Sequence, residues 1–158
     1  MTEETSIELE AVVRIHEKEV LFRRAVATGL LTLQSTTKSA IEDGSVKKGD
    51  VLQASTIAAI QAVKETPRII PHCHPIPIEG VQVDWVWEGN NLRCTVTVEA
   101  MYKTGVEMEA LTGVSAGLLC VFDMVKSFEK DQHGQYTTAC IREIHVISKT
   151  KNLPSQNE

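Results

Sequence analysis

Apolar and polar residues alternate along the first part of the chain, and this periodicity predicts extended structure. Over residues 7–15 every second residue is apolar, which predicts a half-buried strand. Residues 20–33 predict a second strand, in which Gly29 marks either a bulge or a point of close approach. We expect both segments to contribute strands to a sheet.

Three later segments carry apolar residues at helical spacing. Residues 35–43 predict a short helix. Residues 51–66 predict a longer helix that begins after the N-cap Asp50 and ends before Pro67, because a proline restricts the residue that precedes it. Residues 106–129 predict the longest helix, which is apolar on most of its faces.

The clearest β-hairpin joins residues 81–87 to residues 92–98 through a turn at residues 89–91. Residues 136–147 predict the last strand. From residue 20 onward the main elements follow the order β-α-β-β-α-β. With antiparallel strands, this order is typical of an α+β, ferredoxin-like fold whose helices pack on one face of the sheet.

Composition changes this picture little. With 158 residues, of which 42% are hydrophobic and 23% charged, we expect one globular domain over residues 1–158, with flexible tails at about 1–6 and 150–158. The net charge of -5 argues against nucleic-acid binding, which needs a basic face. We see no apolar run that would span a membrane, and the N-terminus is acidic rather than a signal peptide. The four cysteines form no Cys-x-x-Cys pair, so we expect reduced thiols and a cytoplasmic location.

Asp123 and Lys126 are the first candidates for chemistry, because they are three residues apart and share one face of the long apolar helix. A partly desolvated lysine beside a carboxylate can have a pKa near working pH and act as a general acid or base. An ordinary surface ion pair explains the same spacing. The apolar flanking residues favour chemistry, but spacing alone leaves both interpretations open.

Glu107 and Glu109 lie at the start of the same helix. Acidic residues in a first turn interact favourably with the helix dipole, and spacing alone favours that interpretation. The alternative is a ligand site, in which the carboxylates bind the guanidine-like edge of a purine or pterin.

Two other short motifs are weaker. Lys47 and Lys48 precede a helix N-terminus, where a phosphate could bind. A zinc site is one interpretation of the adjacent residues His72, Cys73 and His74, because zinc prefers these side chains as ligands. Adjacent ligands nevertheless fit the usual zinc spacings poorly. The alternative is a rigid loop in which His74, beside a proline, donates to an anion or moves a proton.

Taken together, five segments resemble the MoaC family, the cyclic pyranopterin monophosphate synthases of molybdenum cofactor biosynthesis. In family order and at family spacing, they are Lys48-Gly49-Asp50-Val51, residues 58–66, Ile70-Pro71-His72-Cys73-His74-Pro75, residues 104–112 and Phe122-Asp123-Met124-Val125-Lys126. The resemblance covers about residues 12–149. It departs from the family pattern at Val13-Arg14-Ile15, where the family usually has Val-Asp-Val, at Leu21, where a threonine is common, and at Ser148-Lys149-Thr150-Lys151, which lacks the usual glycine pair.

The resemblance implies a ferredoxin-like fold and an activity. The enzyme would convert 3',8-cyclo-7,8-dihydro-GTP to cyclic pyranopterin monophosphate and pyrophosphate by general acid–base catalysis from lysine and aspartate. No cofactor would be required, although Mg²⁺ could accompany the triphosphate. The assembly would be a homohexamer, a trimer of dimers with active sites at subunit interfaces, and neither nucleic acid nor a membrane would be a partner.

The resemblance also implies residue roles. The positions that match the family's catalytic residues are Lys48, Asp123 and Lys126. The positions assigned to substrate binding are Arg23, His72, Cys73, His74, Glu107, Met108, Glu109 and Lys149. Two other hypotheses remain: a non-catalytic nucleotide-binding ferredoxin-like module that keeps these sites for binding, and a zinc hydrolase built on the His-Cys-His loop.

Overall fold

The computed structural model describes residues 9–152, and a four-stranded antiparallel sheet is its central element. The elements are β1 (Leu21–Thr32), α1 (Ser35–Glu42), α2 (Val51–Ile69), β2 (Gly80–Glu88), β3 (Asn91–Tyr102), α3 (Glu107–Glu129) and β4 (Cys140–Asn152). The sheet order is β2-β3-β1-β4, and every neighbouring pair is antiparallel. The predicted α+β class is confirmed, and the topology is consistent with a ferredoxin-like fold.

One face of the sheet forms the core together with α2 and α3. Along β3 every second residue is buried, because these side chains point toward the helices. Gly113 of α3 lies where an added Cβ would be 2.8 Å from Val63 of α2 and 3.1 Å from Val96 of β3. At Gly29 of β1 a Cβ would lie 2.8 Å from Val114, so the predicted close approach is confirmed. The ladder with β4 also shifts register between Thr28 and Leu30, as the alternative of a bulge predicts.

The predicted end of α2 before Pro67 is wrong, since the helix continues to Ile69. Pro67 has no N–H to donate to the carbonyl of Val63, four residues earlier. The buried hydroxyl of Thr66 instead shares its one proton between that carbonyl and the carbonyl of Ala62, each at 3.0 Å. The hydroxyl therefore replaces the missing backbone donor and allows the helix to pass through the proline.

The strand predicted over residues 7–15 is also wrong for its described part. Residues 9–15 form no strand. The carbonyls of Ala11 and Val13 pair with the rings of His72 and His74 instead of a neighbouring strand. Residues 7 and 8 lie outside the described residues, as does the tail predicted over residues 1–6.

The last strand differs from its prediction at both ends. β4 covers Cys140–Asn152 rather than residues 136–147. Residues 150–152 belong to the ladder with β1, so the predicted tail is wrong there, and residues 153–158 lie outside the described part. β4 is an edge strand with polar, exposed side chains near its end, so hydrophobic alternation does not reveal its extent.

α3 meets the length and composition of a membrane span, with a mean hydropathy of 1.5 over 18 residues. This corrects our expectation that no apolar run is long enough. Half of that window is buried inside the fold, where α3 contributes Val114, Leu118 and Val121 to the core. The buried half of α3 is apolar because it packs against both α2 and the sheet.

Candidate active site

Three predicted catalytic residues meet near the C-terminal end of α3. Lys126 Nζ donates to Asp123 Oδ1 at 2.8 Å, and Lys48 Nζ donates to Asp123 Oδ2 at 2.9 Å. Lys48 also donates to the backbone carbonyl of Asp123 at 2.9 Å. We call these three residues the lysine–aspartate cluster. One carboxylate thus holds two ammonium groups from different parts of the chain.

The loop before α2 brings Lys48 to this cluster. Gly49 has a φ of 108°, which favours glycine and turns the chain into the helix. Asp50 then caps α2 as predicted, because its side chain accepts from the backbone N–H of Gln53 at 2.9 Å. The turn and the cap fix the start of α2, which anchors one end of the loop that carries Lys48.

The charges of the cluster reinforce one another. The hydrogen bond from Lys126, and then that from Lys48, lowers the pKa of Asp123 to about 2. The bond to Asp123 in turn raises the pKa of Lys126 above its ordinary value. We expected a lysine shifted toward neutrality, and that direction is wrong in this structure. The cluster is exposed to solvent, which makes its charges accessible to a ligand.

A separate cavity of about 660 Å³ lies at the opposite end of α3. We call it the Glu109 pocket. Its lining includes seven of the eight predicted substrate-binding residues, namely His72, Cys73, His74, Glu107, Met108, Glu109 and Lys149. Glu107 and Glu109 also lie in the first turn of α3, as predicted. The two glutamates can therefore both interact with the helix dipole and line a ligand pocket. Met108 is 41% exposed, which leaves its side chain available at the pocket surface.

The pKa values of the two glutamates of the pocket are shifted in opposite directions. Glu109 is only 2% exposed, and burial, with a smaller contribution from the charge of Glu107, raises its pKa to about 7. Burial also acts to raise the pKa of Glu107, but the ammonium of Lys149, 2.8 Å away, a backbone hydrogen bond and the charge of Arg23 together outweigh it, so the net shift is downward. Burial, followed by the charge of Glu109, raises the pKa of the Cys73 thiol. The pocket therefore contains an ion pair beside a carboxyl that titrates near neutrality.

Both histidine rings of the His-Cys-His loop contact backbone carbonyls of the N-terminal segment. His72 Nδ1 contacts the carbonyl of Ala11, and His74 Nε2 lies 2.7 Å from the carbonyl of Val13. Over residues 9–152, no group of three or more His, Cys, Asp or Glu side chains is arranged to hold a metal. The zinc-hydrolase hypothesis thus gains no geometric support from the described residues.

A smaller cavity of about 320 Å³ adjoins the Glu109 pocket, and its lining contains four cationic residues and one acidic residue, Glu19. We call it the basic cavity. Its cations are Lys18, Arg23, Lys103 and Lys151, and it shares Lys18, Thr104 and Gly105 with the Glu109 pocket. Arg23 is fixed by donating to the carbonyls of Tyr102 and Lys103, at 3.3 and 3.2 Å.

Arg23 and Lys151 occupy directly opposite positions in the ladder between β1 and β4. Like charges at such positions destabilise a sheet unless an anion offsets them. Sequence reasoning found Arg23 but missed Lys18, Lys103 and Lys151. No local motif marks these three lysines, because strand pairing and the N-terminal segment bring them together.

The lysine–aspartate cluster and the Glu109 pocket are far apart in one chain. Glu107 and Asp123 are sixteen positions apart on α3, which corresponds to about 24 Å at 1.5 Å per residue. No lining residue of the Glu109 pocket belongs to the cluster. A small ligand could not contact both within a single copy of the chain.

The fold and these sites define the class: an α+β domain with a pocket of acidic and basic side chains, an adjoining basic cavity, and a remote carboxylate that holds two lysines. Comparison with known sequences specifies the family. The sequence model described as "MoaC family" matches residues 12–152. The chain therefore belongs to the MoaC family.

Individual relatives agree with this assignment. A protein of Pyrococcus abyssi named "Probable cyclic pyranopterin monophosphate synthase" is 47% identical over 145 residues, covering 92% of this chain and 91% of that protein. Proteins with the same name from Pyrococcus horikoshii and Methanoregula boonei are 49% identical over 145 residues and 51% identical over 140 residues. The former alignment covers 92% of this chain and 91% of the relative, and the latter 89% and 90%.

Proposed function

We propose that this protein is a cyclic pyranopterin monophosphate synthase of molybdenum cofactor biosynthesis, a lyase that releases pyrophosphate from 3',8-cyclo-7,8-dihydro-GTP. The observation that carries the proposal is the lysine–aspartate cluster, in which Lys48 and Lys126 both donate to Asp123. The names of the relatives support the same activity. The chemistry opens a purine-derived ring and closes a pterin, so it needs proton transfers at several atoms.

In this proposal Lys126 is the principal general acid and base, and Lys48 is the second. The ammonium form of Lys126 is favoured by Asp123, so the residue first acts as a proton donor. An anionic substrate beside Lys126 would favour the ammonium form in the same way as Asp123 does. Lys126 would therefore act as a base only after it has given a proton to the substrate.

The Glu109 pocket would bind the pterin-forming part of the substrate. Carboxylates of Glu107 and Glu109 suit a guanidine-like ring edge, and the rings of His72 and His74 would exchange their backbone partners for the ligand. The triphosphate would extend into the basic cavity, where Arg23, with Lys149 nearby, offsets its charge as pyrophosphate leaves. Cys73 and Met108 would complete the pocket wall.

We further propose that the active site is shared between subunits of a homohexamer, built as a trimer of dimers. The reason is the distance of about 24 Å along α3 between Glu107 and Asp123. The cluster of one copy would therefore act on a ligand held in the pocket of another copy. In a two-fold symmetric dimer the same surface of both subunits forms the interface. Such an interface could place the cluster of one subunit beside the pocket of the other.

The proposed reaction requires no resident cofactor. Mg²⁺ would enter only as a counterion of the triphosphate, since hard cations prefer such oxygen ligands. The partners would be a small GTP-derived molecule and further copies of the chain, without nucleic acid or membrane. We propose a cytoplasmic location, which suits the reduced thiols.

The direct test supplies purified protein with 3',8-cyclo-7,8-dihydro-GTP and measures pyrophosphate and cyclic pyranopterin monophosphate. Turnover is expected, and its absence in correctly folded protein would overturn the proposal. Lys126→Ala separates the synthase from a non-catalytic binding module. The variant should lose turnover but keep most of its affinity for the substrate, whereas in a binding module neither protein turns over.

A further inference from the structure

Glu129, the last residue of α3, has a buried carboxylate that the proposed chemistry does not use. Its side chain is 0% exposed. A buried carboxylate is unfavourable unless hydrogen bonds compensate for the lost solvation. Its position, three residues after Lys126, raises the question of what this residue holds in place.

The carboxylate of Glu129 joins α3 to the N-terminus of α1. Its Oε1 accepts from the backbone N–H of Gln34 at 2.9 Å and from the buried hydroxyl of Thr37. The side chain of Gln34 also donates to the carbonyl of Glu129 at 3.3 Å. Gln34 is the N-cap residue of α1, and its side chain makes no capping bond. Glu129 therefore supplies the cap from another helix, at the positive end of the α1 dipole.

This link lies between the two halves of the lysine–aspartate cluster. Asp123 and Lys126 are on the last turns of α3, whereas Lys48 is on the loop that follows α1. A shift of α1 relative to α3 would change the distance between Lys48 Nζ and Asp123 Oδ2, which is 2.9 Å.

We infer that Glu129 is a positioning residue that sets Lys48 against Asp123 by holding α1 on the end of α3. The inference rests on the proposed function for its catalytic consequence. Among residues 9–152 the second oxygen of Glu129, Oε2, accepts no hydrogen bond. An amide in place of the carboxylate would therefore lose no bond, provided that its oxygen occupies the Oε1 position.

Two variants of Glu129 test this. Glu129→Ala should lower kcat by about tenfold or more, because small displacements of catalytic groups are costly, and should leave KM within about twofold. Glu129→Gln should restore kcat to near the wild-type value. Thr37→Val removes one of the two donors to Oε1 and should give an intermediate loss of kcat, which keeps the test open if Glu129→Ala does not fold.

Thr56→Val is the matched control, because it removes the 2.9 Å hydrogen bond from Trp85 in another part of the fold. It should lower the melting temperature without changing kcat. Crystal structures of the Glu129 variants give a readout that needs no substrate. The Lys48–Asp123 distance should exceed hydrogen-bonding range in Glu129→Ala and return to about 2.9 Å in Glu129→Gln. An unchanged Lys48–Asp123 distance in Glu129→Ala would overturn the inference, whatever the outcome for the proposed function.

Discussion

The ammonium of Lys48 lies 2.9 Å from the carboxylate of Asp123, although 75 positions separate the two residues in sequence. The contact joins the loop before α2 to the end of α3. It leaves Lys126 to occupy the other carboxylate oxygen, so the charge of each lysine is stabilised by one shared anion. This arrangement is the basis for the predicted chemistry of the site.

Asp123→Asn removes that anion. We expect kcat for pyrophosphate release to fall by roughly 100-fold, a typical contribution of general acid–base groups. Because Asp123 raises the pKa of Lys126, the alkaline limb of the kcat profile should also move to lower pH. Steady-state kinetics from pH 6 to 10 (roughly the range over which a lysine and its neighbours titrate) measures both effects.

The matched control for this substitution is Asp84→Asn, an exposed aspartate on β2 that bonds only to Gln82 among the hydrogen bonds of the described chain. It should leave kcat and the pH profile unchanged. Equal losses in both variants, or an unshifted alkaline limb in Asp123→Asn, would contradict the assigned role of Asp123.

Glu109 should make the stability of the fold depend on pH. Its folded pKa of about 7 is above the ordinary value of 4.5, so between these pH values the folded state retains a proton that the unfolded state loses. The contribution of Glu109 to the free energy of unfolding should therefore be largest below pH 4.5 and fall as the pH rises to about 7. The shift corresponds to roughly 3 kcal/mol across that window.

Urea unfolding at fixed protein concentration, at pH values between 5 and 8, measures this slope. Glu109→Gln should remove most of it, because the amide does not titrate. Glu42→Gln, at an exposed glutamate of α1, should leave it unchanged. If wild-type and Glu109→Gln proteins have parallel profiles, Glu109 does not carry the raised pKa.

The basic cavity should bind the anionic end of the substrate. Lys103→Ala is expected to raise KM roughly tenfold with little change in kcat. A roughly tenfold change corresponds to the loss of one charge-assisted hydrogen bond to the substrate. Lys103 is a better choice than Arg23, because its ammonium holds one backbone carbonyl, that of His16 at 3.0 Å, whereas the Arg23 guanidinium holds two. Added salt should weaken substrate binding less in the variant than in the wild type. Lys64→Ala, at an exposed lysine of α2, is the control.

Thr66→Val tests how α2 passes through Pro67. The substitution leaves the carbonyl of Val63 without a donor, so the free energy of unfolding should fall by about 1–3 kcal/mol. Ser115→Ala is the control, because its hydroxyl bonds a carbonyl that the regular helix already satisfies. Denaturant unfolding of the two variants should differ by most of the predicted loss. Equal stabilities would show that the Thr66 hydroxyl is not needed.

The sequence patterns predicted strands and helices correctly where the apolar positions are also the buried positions of the fold. The hairpin of β2 and β3 is the best case, since one face of each strand enters the core. The patterns failed where backbone groups found side-chain partners. The hydroxyl of Thr66 allows α2 to continue past a proline. The rings of His72 and His74 contact carbonyls of the N-terminal segment, whose sequence pattern predicts a strand that does not form.

The site was predictable only in part for a similar reason. Family motifs indicated Lys48, Asp123 and Lys126 together, and the structure joins them. Lys103 and Lys151 belong to no motif, because the basic cavity depends on the register that places Lys151 opposite Arg23. Pairing register is a property of the folded sheet rather than of local sequence.

The most direct test of the account mixes two inactive variants, Lys126→Ala and Glu107→Ala, by co-refolding equal amounts. If each active site takes its lysine–aspartate cluster and its Glu109 pocket from different subunits, about a quarter of the sites regain both intact halves. Pyrophosphate release from the mixture should then reach about a quarter of the wild-type rate, far above either parent. A mixture no more active than the mean of its parents would contradict the shared site.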